Sequence, residues 1–303
     1  MMEVRFGYLQ EQMVIEWSSG TVRPLDNIAS IVERVQVHER AYGDWFHPPL
    51  EPVSRDSKET KNSPLVPTRT FSLPATHLLS LKNHDEADEC ANFVIALFGM
   101  LKGRRLQREG WQHFYKAPID QELCDFCADK SEIAHALDRV SDFWQTHADV
   151  DIRRLAFGAL HWHLFAQLYE HDFERFNAQY MALDACHKLA KATWTNFDSA
   201  TTHAKRASAL CTQLGVPTPA WANVPTGQRT CALSERRNAL IHEAMYGGQP
   251  VGFVHPVEHS GMELELTKLV ARLLLRLLGI ENEYTRSACT TRVTMEFSFD
   301  TKR

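Results

Sequence analysis

From about residue 150 to residue 280, apolar residues recur at three- and four-residue spacing, and this periodicity constrains the fold more than any other feature. The segments 149–170, 171–194, 198–215 and 261–279 each predict an amphipathic helix. Residues 233–246 predict another, which runs into Gly247-Gly248 as a stop. Helices with one apolar stripe must pack on one another to bury it. We therefore predict a mainly α protein with a helical bundle over residues 149–282.

The N-terminal residues 1–148 carry a different pattern, which predicts an α+β region. Alternating apolar residues in "VRFGY" and "MVIEW" predict a hairpin or two neighbouring strands, and a helix is expected near 25–40. Residues 47–74 hold six of the thirteen prolines and form a Pro-rich excursion, and residues 84–106 predict a further helix. The tail at 287–300 alternates as a strand does, and we expect it to pack back on the N-terminal region.

Composition narrows the class of protein. With 44% hydrophobic and 23% charged residues the chain is typical of a globular protein. A net charge of −5 gives no overall attraction to nucleic acid, so any RNA contact must be local or formed between subunits. The first residues lack signal-peptide features, and the most apolar stretch is interrupted by basic residues, so no membrane contact is expected. Seven cysteines without a framework favour a reducing, cytoplasmic location.

One polar motif interrupts the helix at 233–246. The chain contains Arg-Asn-x-x-x-His once, at Arg237, Asn238 and His242. On a helical wheel at about 100° per residue, Arg237 falls inside the apolar stripe and lies about 140° from His242. One straight helix would struggle to aim both at one phosphate, unless it bends or Arg237 reaches around, whereas two copies related by a twofold axis would pool two arginines and two histidines in one groove. Arg236, on the other flank of the stripe, is the reserve candidate for binding phosphate.

These residue types suit the cleavage of RNA. The 2′-hydroxyl beside each phosphate is a built-in nucleophile, so cleavage needs proton transfer and stabilisation of charge on phosphorus. Histidine titrates near neutrality and suits the proton transfer. The planar fork of arginine binds phosphate oxygens and keeps its charge. Asn238 would orient the His242 ring or a phosphate oxygen. No metal or cofactor is required by this scheme.

The motif and the upstream stretch "RFNAQYMALDACHKLA" resemble the HEPN superfamily, and most closely its ApeA-like branch, over roughly residues 150–280. Asp184 stands where that family has glutamate. The resemblance implies a HEPN-like bundle and a metal-independent endoribonuclease that leaves 2′,3′-cyclic phosphate ends. It also implies a homodimer with Arg237, Asn238 and His242 at its seam. The setting would be prokaryotic anti-phage defence or toxin-like growth arrest, with the N-terminal region as a sensor or restraint and with room for a neutralising or activating partner.

Two other readings of the chain stay open. The first is a non-catalytic HEPN-like dimer that binds nucleic acid or protein, in which residues 237–242 serve only the fold or the interface. The second is a zinc-dependent adaptor, which depends on Cys124 and Cys127 with His135 nearby. A single Cys-x-x-Cys is more often a pair of packed thiols in a helix than a metal site.

A basic and aromatic stretch at residues 102–116 is a candidate contact for RNA. Basic and aromatic side chains that alternate can hold single-stranded nucleic acid, although a basic helix end followed by a packed loop is equally ordinary. The candidate RNA-binding residues are Arg104, Arg105, Arg108 and Lys116, among Trp111, Phe114 and Tyr115. His161 and His163 lie two apart, on different faces of a helix, and are expected to be structural.

Overall fold

The structure is a computed structural model that describes residues 2–52, 65–67, 69–82, 87–120, 124–197, 202–253 and 261–299. The fold is mixed α/β with substantial helical content, about 48%. The chain forms two compact units, Met1–Glu122 and Leu123–Arg303. Of the predicted Pro-rich excursion at 47–74, residues 53–64 and 68 lie outside the described residues.

The first unit contains both strands and helices. In chain order these are β1 (Met2–Gly7), β2 (Ile15–Trp17), β3 (Gly20–Pro24), α1 (Ile28–Gln36), β4 (Ala41–Tyr42), β5 (Trp45–Phe46), β6 (Leu50–Pro52), β7 (Leu65–Pro67), β8 (His77–Leu81), α2 (Ala87–Leu101), β9 (Gln107–Arg108) and β10 (Ala117–Pro118). Helix α1 confirms the helix expected near 25–40. Helix α2 confirms the one predicted from residue 84, whose first residues 84–86 lie outside the described part of the chain.

The main sheet of this unit is antiparallel, with the strand order β2-β3-β8-β1-β9. The prediction that β1 and β2 are neighbours is wrong, because β2 forms a hairpin with β3 and both β3 and β8 separate it from β1. The two-residue connection Ser18-Ser19 is short enough to force that hairpin. Phe6 of β1 meets Phe98 of α2 edge to face, with ring centroids 5.9 Å apart, so α2 covers an apolar face of the sheet.

The second unit is predominantly helical. In chain order its elements are β11 (Phe126–Cys127), α3 (Lys130–Thr146), α4 (Val150–Ala166), α5 (Asp172–Thr193), α6 (Arg206–Leu214), α7 (Ala232–Glu243), β12 (Met245–Tyr246), β13 (Gln249–Pro250), α8 (Met262–Leu277), α9 (Glu283–Arg286) and β14 (Met295–Glu296). Short 3-10 turns at His203–Lys205 and Ala220–Ala222 precede α6 and α7. Helices α4 to α8 therefore lie in the segments predicted as helices, although residues 198–201 of one segment lie outside the description.

Helices α4, α5 and α8 form the core of this unit. α4 and α5 make a helical hairpin, α8 packs against both, α6 packs on α5 and α8, and α7 packs on α5. Leu160, Leu183 and Leu269, one from each of the three core helices, are fully buried. Each such leucine contributes about 1.5–3 kcal/mol to the stability of the folded state. This core is the support on which α7 and its motif rest.

The tail strand β14 pairs within the second unit. It runs parallel to β11, with Phe126 opposite Met295, and not beside the strands of residues 2–24. Phe297, which follows β14, is fully buried and lies 4.8 Å from Phe126 between ring centroids. The aromatic contact therefore selects β11 as the partner of the tail. Residue 300, the last of the predicted strand segment, lies outside the described residues.

A buried ion pair ties the start of this unit to α8. Arg272 is fully buried, and its Nη1 atom donates to Asp125 Oδ2 and to Tyr284 Oη, both at 3.1 Å. The Tyr284 hydroxyl donates to Asp125 Oδ1 at 2.6 Å. We expected the N-terminal region to extend to residue 148, whereas the second compact unit begins at Leu123 and includes α3. Asp125 gives the physical reason, because it is part of the interior polar network of this unit.

Candidate functional site

Helix α7, which carries the Arg-Asn-x-x-x-His motif, is anchored at its first turn. Leu233 and Ser234 are buried, and the backbone N–H of Cys231 donates to Ser234 Oγ at 3.0 Å, which caps the helix. The Cys231 thiol donates to the carbonyl oxygen of Ala204 at 3.2 Å, in the 3-10 turn before α6. From Glu235 onward, each residue of α7 is partly or fully exposed. The motif thus lies on the open part of a firmly attached helix.

The apolar stripe predicted along α7 is not buried beyond its first turn. Leu240 is half-buried and Ile241 is 50% exposed. The apolar residues of α7 beyond its first turn are therefore not enclosed by their own chain. Because α7 is buried only where it begins, its later turns present apolar and polar side chains to the outside together.

The three motif side chains meet in one cluster. Arg237 Nη1 lies 3.0 Å from Asn238 Oδ1 and 3.0 Å from His242 Nε2. A guanidinium has donors and no acceptor, so Nε2 of His242 must be the acceptor and the ring must be unprotonated there. Arg237 and Asn238 are half-buried and His242 is exposed. The cluster therefore combines a fixed positive charge with an imidazole nitrogen that faces it.

Arg237 reaches around α7 to His242, which is the exception that the wheel argument left open. The directions of the two Cα–Cβ bonds differ by about 140° on an ideal helix, but the long arginine side chain follows the last turn to the imidazole. The helix ends at Glu243, one residue after His242, so the ring is not confined by a following turn. A single chain therefore brings the two groups into contact, and the geometry by itself does not require a second copy.

The end of α7 also differs from the prediction of a double-glycine stop. The helix ends at Glu243 and Ala244 takes the left-handed conformation, with φ of 52°. Gly247 and Gly248, with φ of 57° and 79°, form the turn of the β12–β13 hairpin. A two-residue turn with positive φ at both positions is the type that fits hairpin twist, and it favours glycine. The pair therefore serves the hairpin rather than the helix.

Arg236, the reserve candidate, is engaged elsewhere. It forms an ion pair with Glu263 in the first turn of α8, and its guanidinium lies 5.4 Å from the centre of the Tyr246 ring. Tyr246 donates its hydroxyl to the same Glu263, and burial raises the pKa of Tyr246 together with that contact. Arg236 therefore links α7, β12 and α8, and it does not join the Arg237 cluster.

A second group of polar side chains, on α5 and at the start of α6, lies close enough to Arg237 for the charge of its guanidinium to act on it. Asp184, which was noted in the sequence analysis, accepts from Arg206 Nη1 at 2.7 Å. Tyr180 Oη lies 3.1 Å from His203 Nδ1, and the two rings are stacked with centroids 6.2 Å apart. Burial, and next the charge of Asp184, raise the pKa of Tyr180, while the charge of Arg237 opposes the shift. Helices α5, α6 and α7 therefore each bring a charged side chain to this place.

Sequence reasoning missed Tyr180, His203 and Arg206. Tyr180 and Asp184 are one turn apart on α5, and His203 and Arg206 are three residues apart where α6 begins. Both spacings put side chains on a common face, which is the signal that was available. The two faces meet because α6 packs against α5, and this packing could not be predicted from the local sequence pattern.

The candidate RNA-binding residues of the first unit lie among carboxylates and aromatic rings. Arg104 pairs with Asp120 at 3.2 Å and Arg108 with Asp88 at 2.9 Å. Lys116 Nζ lies 4.4 Å from the centre of the Trp45 ring and 5.7 Å from that of Tyr115. The structure thus pairs two of these cations with carboxylates and places a third on aromatic rings.

Arg105 is the fourth of these cations. Its guanidinium lies 6.0 Å from the centre of the Trp111 ring. Burial, and next the charge of Arg105, lower the pKa of His113 to about 4. The neighbouring Phe114 is 79% exposed, so this stretch does present an uncovered aromatic surface to solvent.

The histidine candidates take structural positions, whereas the cysteine candidates are not the packed helical thiols expected, since Cys127 is exposed. Cys127 lies in strand β11 and not in a helix, and Cys124 Sγ donates to the carbonyl oxygen of Phe126 at 3.3 Å. Within the described residues there is no group of three or more histidine, cysteine or acidic side chains placed to hold a metal ion. His163 is buried, 3.1 Å from Gln179 Oε1, and burial lowers its pKa to about 4. His161 is half-buried on α4, 5.8 Å from Phe165 between ring centroids.

No helix in the described part of the chain combines the length and apolar character needed to cross a bilayer. The sequence matches no protein-family model, and comparison of the chain with curated proteins and with solved structures gave no match.

Proposed function

We propose that this chain is a metal-independent endoribonuclease with Arg237, Asn238 and His242 as its active centre. The observation that carries the proposal is the contact of Arg237 Nη1 with both Asn238 Oδ1 and His242 Nε2, at 3.0 Å each, on an open helix. A guanidinium and an imidazole at this distance can engage one phosphodiester at the same time. The resemblance to the HEPN superfamily supports the proposal, with the second unit as a HEPN-like bundle.

In this proposal the RNA phosphate takes the place of the contact between Arg237 and His242. Arg237 binds the phosphate oxygens and stabilises the charge that builds up on them as the 2′-oxygen attacks. His242 exchanges a proton with the reacting oxygens, and Asn238 holds Arg237 in position. The products are a 2′,3′-cyclic phosphate and a 5′-hydroxyl. The cellular role we infer is prokaryotic anti-phage defence or toxin-like growth arrest in the cytoplasm.

A homodimer with α7 at its seam is part of this proposal. Ile241 is 50% exposed between Leu240 and His242, so an apolar side chain lies beside the motif without cover from its own chain. A second copy of α7 would cover it and would bring two motifs to one groove. The support for the dimer is this exposed residue together with the resemblance, since Arg237 and His242 already meet in one chain.

The first unit would sense a trigger, restrain the nuclease or bind RNA outside the active centre. Its uncovered Phe114 and Tyr115, with Lys116 at the Tyr115 ring, are the chemistry that stacks on unpaired bases. A neutralising or activating protein would act through this unit or through α7.

Two neighbouring arginines provide the matched test. Arg237→Ala and His242→Ala should each lower RNA cleavage in excess EDTA by at least about 100-fold, because each removes a group that acts in the transition state. Arg236→Ala removes the same side chain one residue earlier, which pairs with Glu263, and should retain cleavage while lowering stability. Mass spectrometry of the fragments should find cyclic phosphate. Equal cleavage by wild type and His242→Ala would refute the proposal.

The alternative is a non-catalytic HEPN-like dimer that binds nucleic acid or protein. Its support is that Arg237, Asn238 and His242 already satisfy one another in the ligand-free chain. In that case neither wild type nor His242→Ala would cut any RNA in the presence of cell extract, and Arg237→Ala would change stability or oligomeric state instead.

A further inference from the structure

Cleavage by a 2′-hydroxyl requires two proton transfers. One proton leaves the 2′-oxygen as it attacks, and another reaches the 5′-oxygen as its bond to phosphorus breaks. The Arg-Asn-x-x-x-His motif supplies one imidazole per chain. The structure offers a second imidazole close to Arg237, on a different element.

His203 is held by one edge of its ring. Its Nδ1 atom lies 3.1 Å from Tyr180 Oη and 3.9 Å from Asp184 Oδ2, and Tyr180 stacks against its face. The side chain is 38% exposed, and Nε2 has no hydrogen-bond partner among the described residues. The negative charge of Asp184 favours the tautomer with the proton on Nδ1, which leaves a lone pair on Nε2. His203 is thus oriented in the way a general base is.

The 3-10 turn that carries His203 packs against α7, where the Cys231 thiol donates to the carbonyl oxygen of Ala204 at 3.2 Å. Arg237 contacts His242 at 3.0 Å, and it lies near enough to His203 that its charge lowers the pKa of that ring. Burial is the largest cause of this lowered pKa, followed by Arg206, while Asp184 opposes it. The groups that face His203 are Tyr180, Asp184 and His187 of α5, Arg206 of α6 and Arg237 of α7.

We propose that His203 is a second catalytic residue of this site, the general base that activates the 2′-hydroxyl; the proposal rests on the ribonuclease function above. Nε2 of His203 takes the proton of the 2′-hydroxyl, and the 2′-oxygen forms its bond to phosphorus. The bond from phosphorus to the 5′-oxygen breaks, and protonated His242 gives its proton to that oxygen. Arg237 binds the phosphate oxygens. Tyr180 is a positioning residue that holds Nδ1 of His203.

Other members of the group are less suited to this role. Asp184 holds Arg206 through Oδ1 at 2.7 Å and faces His203 through Oδ2, so it belongs to a structural ion pair that orients its neighbours. The His187 ring is buried and lies 5.1 Å from Phe197 between ring centroids, so it is closed to a polymer substrate. His203 combines exposure, a fixed ring and proximity to Arg237.

The decisive experiment compares variants of the full chain on one RNA substrate across pH. His203→Gln should lower kcat by at least about 100-fold and should remove the acidic limb of the pH profile. His135→Gln changes an exposed histidine on α3, away from the group, and should match wild type. Tyr180→Phe removes only the hydroxyl at Nδ1 and should lower kcat by about 10-fold with KM unchanged. Circular dichroism and thermal melting establish that each variant is folded.

The outcomes separate the two proposals. His203→Gln with wild-type kcat, beside an inactive His242→Ala, would overturn the role of His203 and leave the ribonuclease intact. If His203→Gln does not fold, Tyr180→Phe decides, and an unchanged kcat and pH profile would overturn the inference. A wild type that never makes cyclic phosphate overturns both.

Titration with inorganic phosphate gives a readout that needs no turnover. The imidazole resonances of His203 and His242 should shift together with one dissociation constant, and Arg237→Ala should weaken it. A shift at His242 alone would overturn the inference.

Discussion

Replacement of Asp125 by alanine should destabilise the second unit more than any surface change. Arg272 is fully buried, and Asp125 supplies the carboxylate that compensates its charge and accepts from Tyr284. Removing one partner of a buried ion pair typically costs about 3–5 kcal/mol, since the other charge stays buried and uncompensated. For domains of this size, that loss lowers the melting temperature by about 6–20 °C, at about 2–4 °C per kcal/mol.

The assay is urea unfolding followed by circular dichroism, with thermal melting as a second measurement. The matched control is Asp142→Ala, which removes an exposed carboxylate on α3 and should change the unfolding free energy by at most about 0.5 kcal/mol. Adding Arg272→Met to Asp125→Ala should recover much of the loss, because the double variant has no buried charge at this place. If Asp125→Ala costs less than about 1 kcal/mol, Arg272 is not buried beside Asp125 and the reasoning fails.

Three further predictions concern the helix end, acid stability and the first unit. Ala244→Gly should raise the unfolding free energy by about 1 kcal/mol, because glycine adopts positive φ without strain. The control Ala239→Gly, inside α7, should lower the unfolding free energy by about 0.5–1 kcal/mol. If urea unfolding shows that Ala244→Gly lowers the unfolding free energy, the left-handed conformation of residue 244 is contradicted. Burial lowers the pKa of His163 from 6.5 to about 4, so on acidification the unfolded chain takes up the proton before the folded chain does. The contribution of the neutral His163 ring to the unfolding free energy is therefore fully present above pH 6.5. It is lost as the pH falls to 4, and it amounts to about 3 kcal/mol. Unfolding free energies of wild type and His163→Gln should therefore converge toward pH 4, and parallel curves would refute the buried neutral ring. The double variant Lys116→Ala/Tyr115→Ala should raise KM for long single-stranded RNA and leave the cleavage of a dinucleotide unchanged. Lys82→Ala is the control. Loss of dinucleotide cleavage in the double variant would place these residues in the active centre instead.

The sequence was sufficient to predict the long helices, and the reason is physical. α4, α5 and α8 carry apolar residues at helical spacing over many turns, so their character depends on the local pattern. The neighbours of a short strand depend on packing and turn length, and the expected β1–β2 pair was therefore wrong. Gly247-Gly248 shows the same limit, because a glycine pair suits a helix end and a hairpin turn equally.

The site was predictable only along α7. Arg237, Asn238 and His242 share one helix, so their spacing alone suggested that they act together. Tyr180 and His203 come from other elements and reach Arg237 only through the packing of α5, α6 and α7. A helical wheel does not show how far a flexible side chain reaches, so the separation of about 140° could not decide whether Arg237 and His242 meet within one chain.

The contact between Arg237 and His242 links anion binding to the availability of the Nε2 lone pair of His242. While the guanidinium donates to Nε2, that lone pair is occupied, and a proton can bind there only after the hydrogen bond breaks. An anion that draws Arg237 toward itself frees this nitrogen to contact another group. In the ligand-free chain, Arg237 therefore occupies the Nε2 lone pair of His242. Binding of a phosphodiester to Arg237 would make that lone pair available.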